Sequence, residues 1–163
     1  NGNWKEEIKY LKEIGSGFAH RVKRRRIKNR TDVWISLKSM LWASRTYPQR
    51  ALTLTWNNWN DIMTEPLKTC LPRAGMARNF PRVVLFGPSD FQGNGLKHLY
   101  FSIEITKLGV LWEAMTKPSL EAEVILSNFE LLRLEFGTPA PMTDVPYNRM
   151  HKATTTSWIK SVW

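Results

Sequence analysis

The sequence predicts a mainly α-helical fold. Apolar residues recur at three- and four-residue spacing in stretches from Trp4 to Val162, and cap-forming residues stand just ahead of several of them. Only one short run, "RVVLFGP" at 82–88, breaks away; it is β-branched, ends in Gly-Pro and predicts a strand or extended segment. The expected layout is a basic helical region over 1–80. Over 81–163 it is one extended segment, a Gly-containing turn near 82–97, and C-terminal helices.

Asn3 and Glu6 form a capping pair ahead of the first stretch. Trp4, Ile8, Leu11, Gly15, Phe18 and Val22 then share one face, which predicts a single helix from Trp4 to about Arg26. Gly15 and Gly17 each cost roughly 1 kcal/mol in a helix interior, yet the stripe passes Gly15 without slipping phase. Gly15 is therefore expected to admit a neighbouring backbone. The alternative is two helices broken at Gly15-Ser16-Gly17.

Thr31 or Asp32 is the expected cap of a second helix bearing Trp34, Leu37 and Leu41, stopped by Pro48. Thr55 caps a third, with Trp56, Trp59, Ile62, Met63, Leu67 and Cys70; Pro66 within it predicts a kink or a break. Tryptophans three apart fit a core better than a base-stacking platform. After Tyr100, the residues Phe101, Ile105, Leu108, Leu111, Trp112 and Met115 make a wide stripe ended by Pro118. Ser119 caps a helix that Gly137 closes, and this helix is apolar on two sides. Leu120, Val124, Leu131 and Leu134 lie on one, and Ile125, Phe129, Leu132 and Phe136 on the other. Two apolar sides call for two packing partners, so one side is expected to meet a body outside this chain. A final helix is expected from about Thr156, with Trp158, Ile159 and Val162.

At 42% hydrophobic the chain can bury a core, and no run approaches the ~20 apolar residues of a membrane span, so no membrane partner is expected. One cysteine, Cys70, excludes an internal disulfide and fits a reducing compartment. A start on Asn1 inside a helix opening and an end on Trp163 behind an apolar pattern lead to the expectation of a piece of a longer polypeptide.

The net charge is +10, and its placement is more informative than its size. Residues 1–80 hold 16 Lys/Arg and 6 Asp/Glu; residues 81–163 hold 8 of each, so the whole excess lies in the first half. Arg21, Lys23, Arg24, Arg25, Arg26, Lys28 and Arg30 fall within ten positions. Such a block repels itself unless an anion neutralises it, and an Arg-rich helix end suits phosphates. Arg73, Arg78 and Arg82 extend the candidate set. The rival reading is a solvated helix end or a localisation signal.

Catalytic chemistry finds no motif. "GPSDFQGNG" lacks the Lys-Ser/Thr pair of a phosphate-cradling P-loop and the three spaced glycines of a dinucleotide fingerprint. Its glycines are expected to supply positive-φ turn geometry. His20, His98, His151 and Cys70 have no zinc-ligand spacing, and no nucleophile motif is present, so no catalytic or metal-ligating residue is assigned.

The order of landmarks resembles a known family. "GMARNFPRVVLFGPSDFQGNGLKHLY" is similar to the segment behind the polymerase palm in reverse transcriptases of LINE-type non-LTR retrotransposons and related reverse-transcriptase-like proteins. The family phrase Pro…Gly-Gly-Leu-Gly-Leu/Ile-x-x-Leu is met by Pro88, Gly93, Gly95, Leu96 and Leu99. Gln92 and Asn94 stand where Gly and Leu are usual. "YPQRALTLTWNNWNDIMTEPLKTCLPRAG" resembles the helical stretch ahead of that phrase. "SLEAEVILSNFELLRLEFG" and "TTTSWIKSVW" resemble the segments behind it, and "NGNWKEEIKYL" the sequence just downstream of the palm.

The resemblance implies a thumb-like helical bundle and connection, a fragment of an RNA-directed DNA polymerase. It implies RNA and DNA as partners through their backbones, the palm of the same polyprotein as a packing partner, and a nuclear, intracellular location. The metal-binding aspartates and their Mg would belong to that upstream palm. This chain has no cofactor of its own and is expected to be inactive alone. The alternatives are a protein-interaction scaffold with a basic localisation segment and a non-functional retrotransposon remnant.

Overall fold

A computed structural model describes residues 4–24, 29–46, 51–147, 152 and 157–163. Among the described residues every regular element is helical. The chain divides into two compact units, one comprising Asn3–Gln49 and Leu54–Ser102, the other Asn1–Gly2, Arg50–Thr53 and Ile103–Trp163.

In the first unit, helix α1 spans Lys5–Arg24 without a break at Gly15 and buries Leu11, Gly15, Phe18, Ala19 and Val22. Helix α2 covers residues 30–46: an α-helical start Arg30–Ser36, a π-helical stretch Leu37–Trp42 and an α-helical end Ala43–Thr46. Its cap is Asn29, whose side chain accepts from the Thr31 amide at 3.0 Å, rather than the expected Thr31 or Asp32. Asparagine in an extended conformation places its amide oxygen over the first free N–H groups, so the helix starts two residues early. The wider π turn brings both Leu41 and Trp42 onto the buried side with Leu37.

Helix α3, Trp56–Arg73, is capped by Thr55, whose hydroxyl accepts from the Asn58 amide at 3.3 Å. It continues through Pro66 rather than breaking there. Three contacts fix its register on α1. Lys12 pairs with Asp61, Gly15 meets the Pro66 ring, and Arg73 reaches the carbonyls of Val22 and Lys23. The offset between partners stays near 50 residues, so α1 and α3 run parallel. A Cβ on Gly15 would stand 3.1 Å from Pro66 Cγ. What Gly15 admits is the side-chain ring of Pro66 rather than the neighbouring backbone expected from the stripe. Helix α2 returns between them: Arg30 at its start lies across Gly75, and Arg45 at its end donates to the Leu11 carbonyl at 2.6 Å.

The segment predicted as a strand is instead helix α4, Arg82–Phe86. The β-branched pair Val83-Val84 carries the strand expectation, but no neighbouring strand exists among the described residues to take its ladder hydrogen bonds. The chain downstream satisfies the helix's end. The amides of Asn94 and Leu96 donate to the carbonyls of Val84 and Leu85 at 2.9 and 3.2 Å, and Gly95 donates to Gly87 at 2.9 Å. Gly93 donates to Pro88 at 2.9 Å. This return needs Gly95 at φ +64°, and it needs Gly93, where any Cβ would collide with the Gly87 backbone. Gln92 also takes a positive φ of 62°.

Helix α5 spans Leu99–Thr116. Its expected apolar stripe faces outward: Phe101, Ile105, Leu108, Trp112 and Met115 are each more than half exposed. The buried positions are Leu99, Ile103, Lys107 and Ala114. In the second unit the wholly buried Lys107 ammonium is held by Glu104 at 2.9 Å and by the Ser161 hydroxyl at 3.1 Å, so a charged residue takes the core-facing position.

Helix α6, Leu120–Phe136, is capped by Ser119 and closed by Gly137 at φ +63°. Its face with Ile125, Phe129, Leu132 and Phe136 packs on Met142, Val145, Ile159, Trp158 and Trp163. Ile159 and Trp158 lie on helix α7, Trp158–Val162, which Ser157 caps. The opposite face, with Leu120, Val124, Leu131 and Leu134, is exposed. No helix among the described residues is long and apolar enough to cross a membrane.

Candidate nucleic-acid interface

The parallel pairing of α1 and α3 brings two basic stretches, some 50 residues apart in sequence, to one end of the first unit. The last turn of α1 carries Arg21, Lys23 and Arg24, all exposed. Arg73, in the last turn of α3, lies beside them and is half-buried. Its Nη1 donates to the Val22 carbonyl and its Nη2 to the Lys23 carbonyl, each at 3.2 Å. Helix C-termini leave carbonyls unpaired and carry partial negative charge, so a forked guanidinium suits this place. Arg30, at the start of α2, comes to the same end, its aliphatic chain packed over Gly75. Gly75 has φ +85°, and a Cβ there would lie 2.9 Å from Arg30 Cδ. Arg25, Arg26 and Lys28 lie outside the described residues.

Arg78 and Arg82 are placed elsewhere. Arg78 lines a cleft of about 480 Å³ between α1 and α3, shared with Lys12, Lys68, Asp61 and Glu65. Two carboxylates against three cations make that cleft weakly basic. Arg82 opens α4 and is exposed. Among the described residues, none of Arg21, Lys23, Arg24, Arg30, Arg73, Arg78 and Arg82 is ion-paired; the pairs that form use Lys12, Lys107, Lys117 and Arg133. With no carboxylate of the described residues paired to them, the exposed cations of the α1 end add their potentials.

One arginine has a different fate. Arg45 is buried, gives Nη2 to the Leu11 carbonyl, and has its pKa lowered by desolvation. It locks α2 onto α1 and is not available to a ligand.

The family-motif turn does not offer its amides to a phosphate. The N–H groups of Gly93, Asn94, Gly95 and Leu96 all go to backbone carbonyls of residues 84–88. Pro88 starts the short 3-10 turn Ser89–Phe91, and Leu96 is buried. The turn closes α4 and positions His98 just beyond it. That imidazole is buried and stacks on Trp56 with centroids 4.0 Å apart at 4°, with its Nε2 3.2 Å from Asn60 Oδ1. Burial pushes its pKa down to about 4, so it is neutral at pH 7. Of the tryptophan pair, Trp59 is wholly buried while Trp56 keeps 41% exposure. Cys70 is buried, and desolvation pushes its thiol up to about 11, which removes it as a nucleophile.

Sequence reasoning misses one side chain at this end of the unit. The helical pattern groups Trp34 with Leu37 and Leu41 in the core; those two are buried, whereas Trp34 is only partly so and has the Lys38 ammonium 5.7 Å from its ring centroid. A signal is present: Arg30, Trp34 and Lys38 are spaced i, i+4, i+8, a single helix face.

Among the described residues no three His, Cys, Asp or Glu side chains group as a metal site. No protein family, curated protein or solved structure matches the chain.

Proposed function

We propose that this chain grips nucleic acid by its phosphate backbone at the basic end of the α1–α3 bundle. On this reading it is the thumb and connection of a reverse transcriptase related to those of LINE-type retrotransposons. What supports this reading most is the convergence of Arg21, Lys23, Arg24 and Arg30 at one end of the bundle, with none of them paired to a carboxylate of the described residues. The order of the family-like phrases supplies the polymerase half of the proposal. The exposed apolar side of α6 supports it further, because a palm upstream would cover such a face. In that arrangement the palm holds the aspartates and Mg, works in the nucleus, and this chain supplies grip without chemistry.

The test is binding of an RNA–DNA hybrid across a salt series. Neutralising three or four phosphates predicts that affinity falls roughly 30- to 150-fold between about 50 and 200 mM salt. Affinity independent of salt would count against the proposal. A second reading, a protein-interaction scaffold, is favoured by the outward apolar residues Ile105, Trp112, Leu120 and Leu134. It predicts a hybrid affinity that is weak at every salt concentration.

A further inference from the structure

A second feature lies at the same end of the first unit. A cleft of about 400 Å³ is lined by Arg30, Thr31, Trp34, Ala74, Met76 and Asn94. Its size falls in the ~300–1,000 Å³ range of small-ligand sites. Its chemistry is mixed in a particular way. There is one indole, one guanidinium, one hydroxyl, one carboxamide and an apolar rim from Met76, and no carboxylate lines it.

Each group is held by the fold. Trp34 is one helical turn beyond Arg30 on α2. The Arg30 chain is guided by Gly75, which has no Cβ to obstruct it. Asn94 donates from Nδ2 to Met76 Sδ at 3.0 Å, and its backbone amide is tied to Val84. The indole is not sealed in the core: an exposed ammonium, Lys38, is what sits over it. A lysine over an aromatic face at an exposed site is worth about 0.5–1 kcal/mol. A nucleobase stacked on an aromatic side chain is worth about 1–3 kcal/mol. Stacking on a base is therefore worth more to the indole than its contact with Lys38, and Arg30 stands on the same cleft to meet a phosphate.

We infer that this cleft binds one unpaired nucleobase of a single-stranded nucleic acid, stacked on Trp34, with Arg30 on the adjoining phosphate. The inference rests on the proposed backbone grip and adds to it a preference for single strands. Duplex bases are already stacked and cannot enter a cleft of this kind without being unstacked first.

The experiment uses the full 163-residue chain and two oligomers of equal length and charge, oligo-dT and the same backbone with abasic sugars. Affinities are measured over a salt series. The inference predicts that oligo-dT binds about tenfold or more tightly than the abasic strand at each salt, with equal salt slopes, since only stacking differs. Trp34→Ala removes the difference between oligo-dT and the abasic strand; Trp34→Phe, which keeps a ring and guards against a folding defect, retains most of it. Equal binding of oligo-dT and abasic strand by the wild-type chain overturns the inference while a steep salt slope leaves the backbone grip standing. A difference that survives Trp34→Ala also overturns it. Failure of every strand to bind at low salt removes the backbone grip, and this cleft's role with it.

Discussion

Arg73 Nη1 donates to the Val22 carbonyl at 3.2 Å, and through this bond the last turn of α3 closes the last turn of α1. The second fork nitrogen takes the Lys23 carbonyl. The turn that presents Lys23 and Arg24 is thus held by a side chain from another helix. A candidate ligand-binding arginine is spent on placing other cations.

Replacing Arg73 tests that role. Arg73→Ala leaves two helix-end carbonyls to water and is expected to lower stability by about 1–2 kcal/mol, in line with charge-assisted hydrogen bonds in a half-buried setting. Arg73→Lys recovers only part, because one ammonium cannot span both carbonyls as a planar fork does. Urea denaturation monitored by helical circular dichroism gives both values. Equal stability of all three proteins contradicts the role.

Gly15 tests the parallel packing. An alanine there gains roughly 1 kcal/mol of helix propensity, but its Cβ meets Pro66 Cγ at 3.1 Å, closer than a comfortable contact. The two effects oppose, so Gly15→Ala is expected to be near neutral. Gly15→Leu adds bulk against a rigid ring and is expected to destabilise by about 1–3 kcal/mol or more. A stabilising Gly15→Leu in thermal unfolding shows that α1 and α3 do not meet there.

The α4 turn ranks its glycines. Gly93→Ala drives a methyl into the Gly87 backbone, whereas a methyl on Gly95 meets Ser89 only at ordinary contact distance, 3.9 Å, and carries the left-handed backbone penalty of about 1–2 kcal/mol. Melting temperatures are expected in the order wild type, Gly95→Ala, Gly93→Ala. The reverse order for the two variants contradicts the geometry.

His98 makes stability depend on pH. Its folded pKa of about 4 lies below the ordinary value of 6.5, so the unfolded chain binds the proton first as pH falls. Its contribution is therefore whole above pH 6.5 and is lost between about pH 6.5 and 4, up to an amount on the order of 3 kcal/mol. His98→Phe keeps a ring against Trp56 and removes the titration. Denaturant midpoints between pH 7 and 4.5 are expected to fall more steeply for the wild type than for this variant.

These particulars show what local pattern can and cannot reveal. The unbroken α1, the caps Thr55 and Ser119, and the closing Gly137 are short-range physics, and the spacing of residues within one or two turns discloses them. The failures are long-range. Residues 82–86 look like a strand because the amides that complete their helix come from Asn94 and Leu96, on a chain that first has to fold back. On α5 the stripe faces outward while Lys107 is buried against Glu104 and Ser161; Ser161 lies 54 positions distant, and no window centred on α5 contains that partner. Of the candidate site, the cations were legible as a charge block. That Arg73 joins them, that Arg78 does not, and that Trp34 sits at their side depended on the register of α1 with α3.

The central claim is that free cations at the end of α1 contact phosphates. Its most direct measurement is the salt slope of hybrid binding for the wild-type chain and for Arg21→Ala/Lys23→Ala/Arg24→Ala. These residues are exposed, so the variant is expected to keep its fold. The account predicts a slope shallower by about three, one released counterion for each neutralised contact. An unchanged slope, with unchanged affinity, contradicts it.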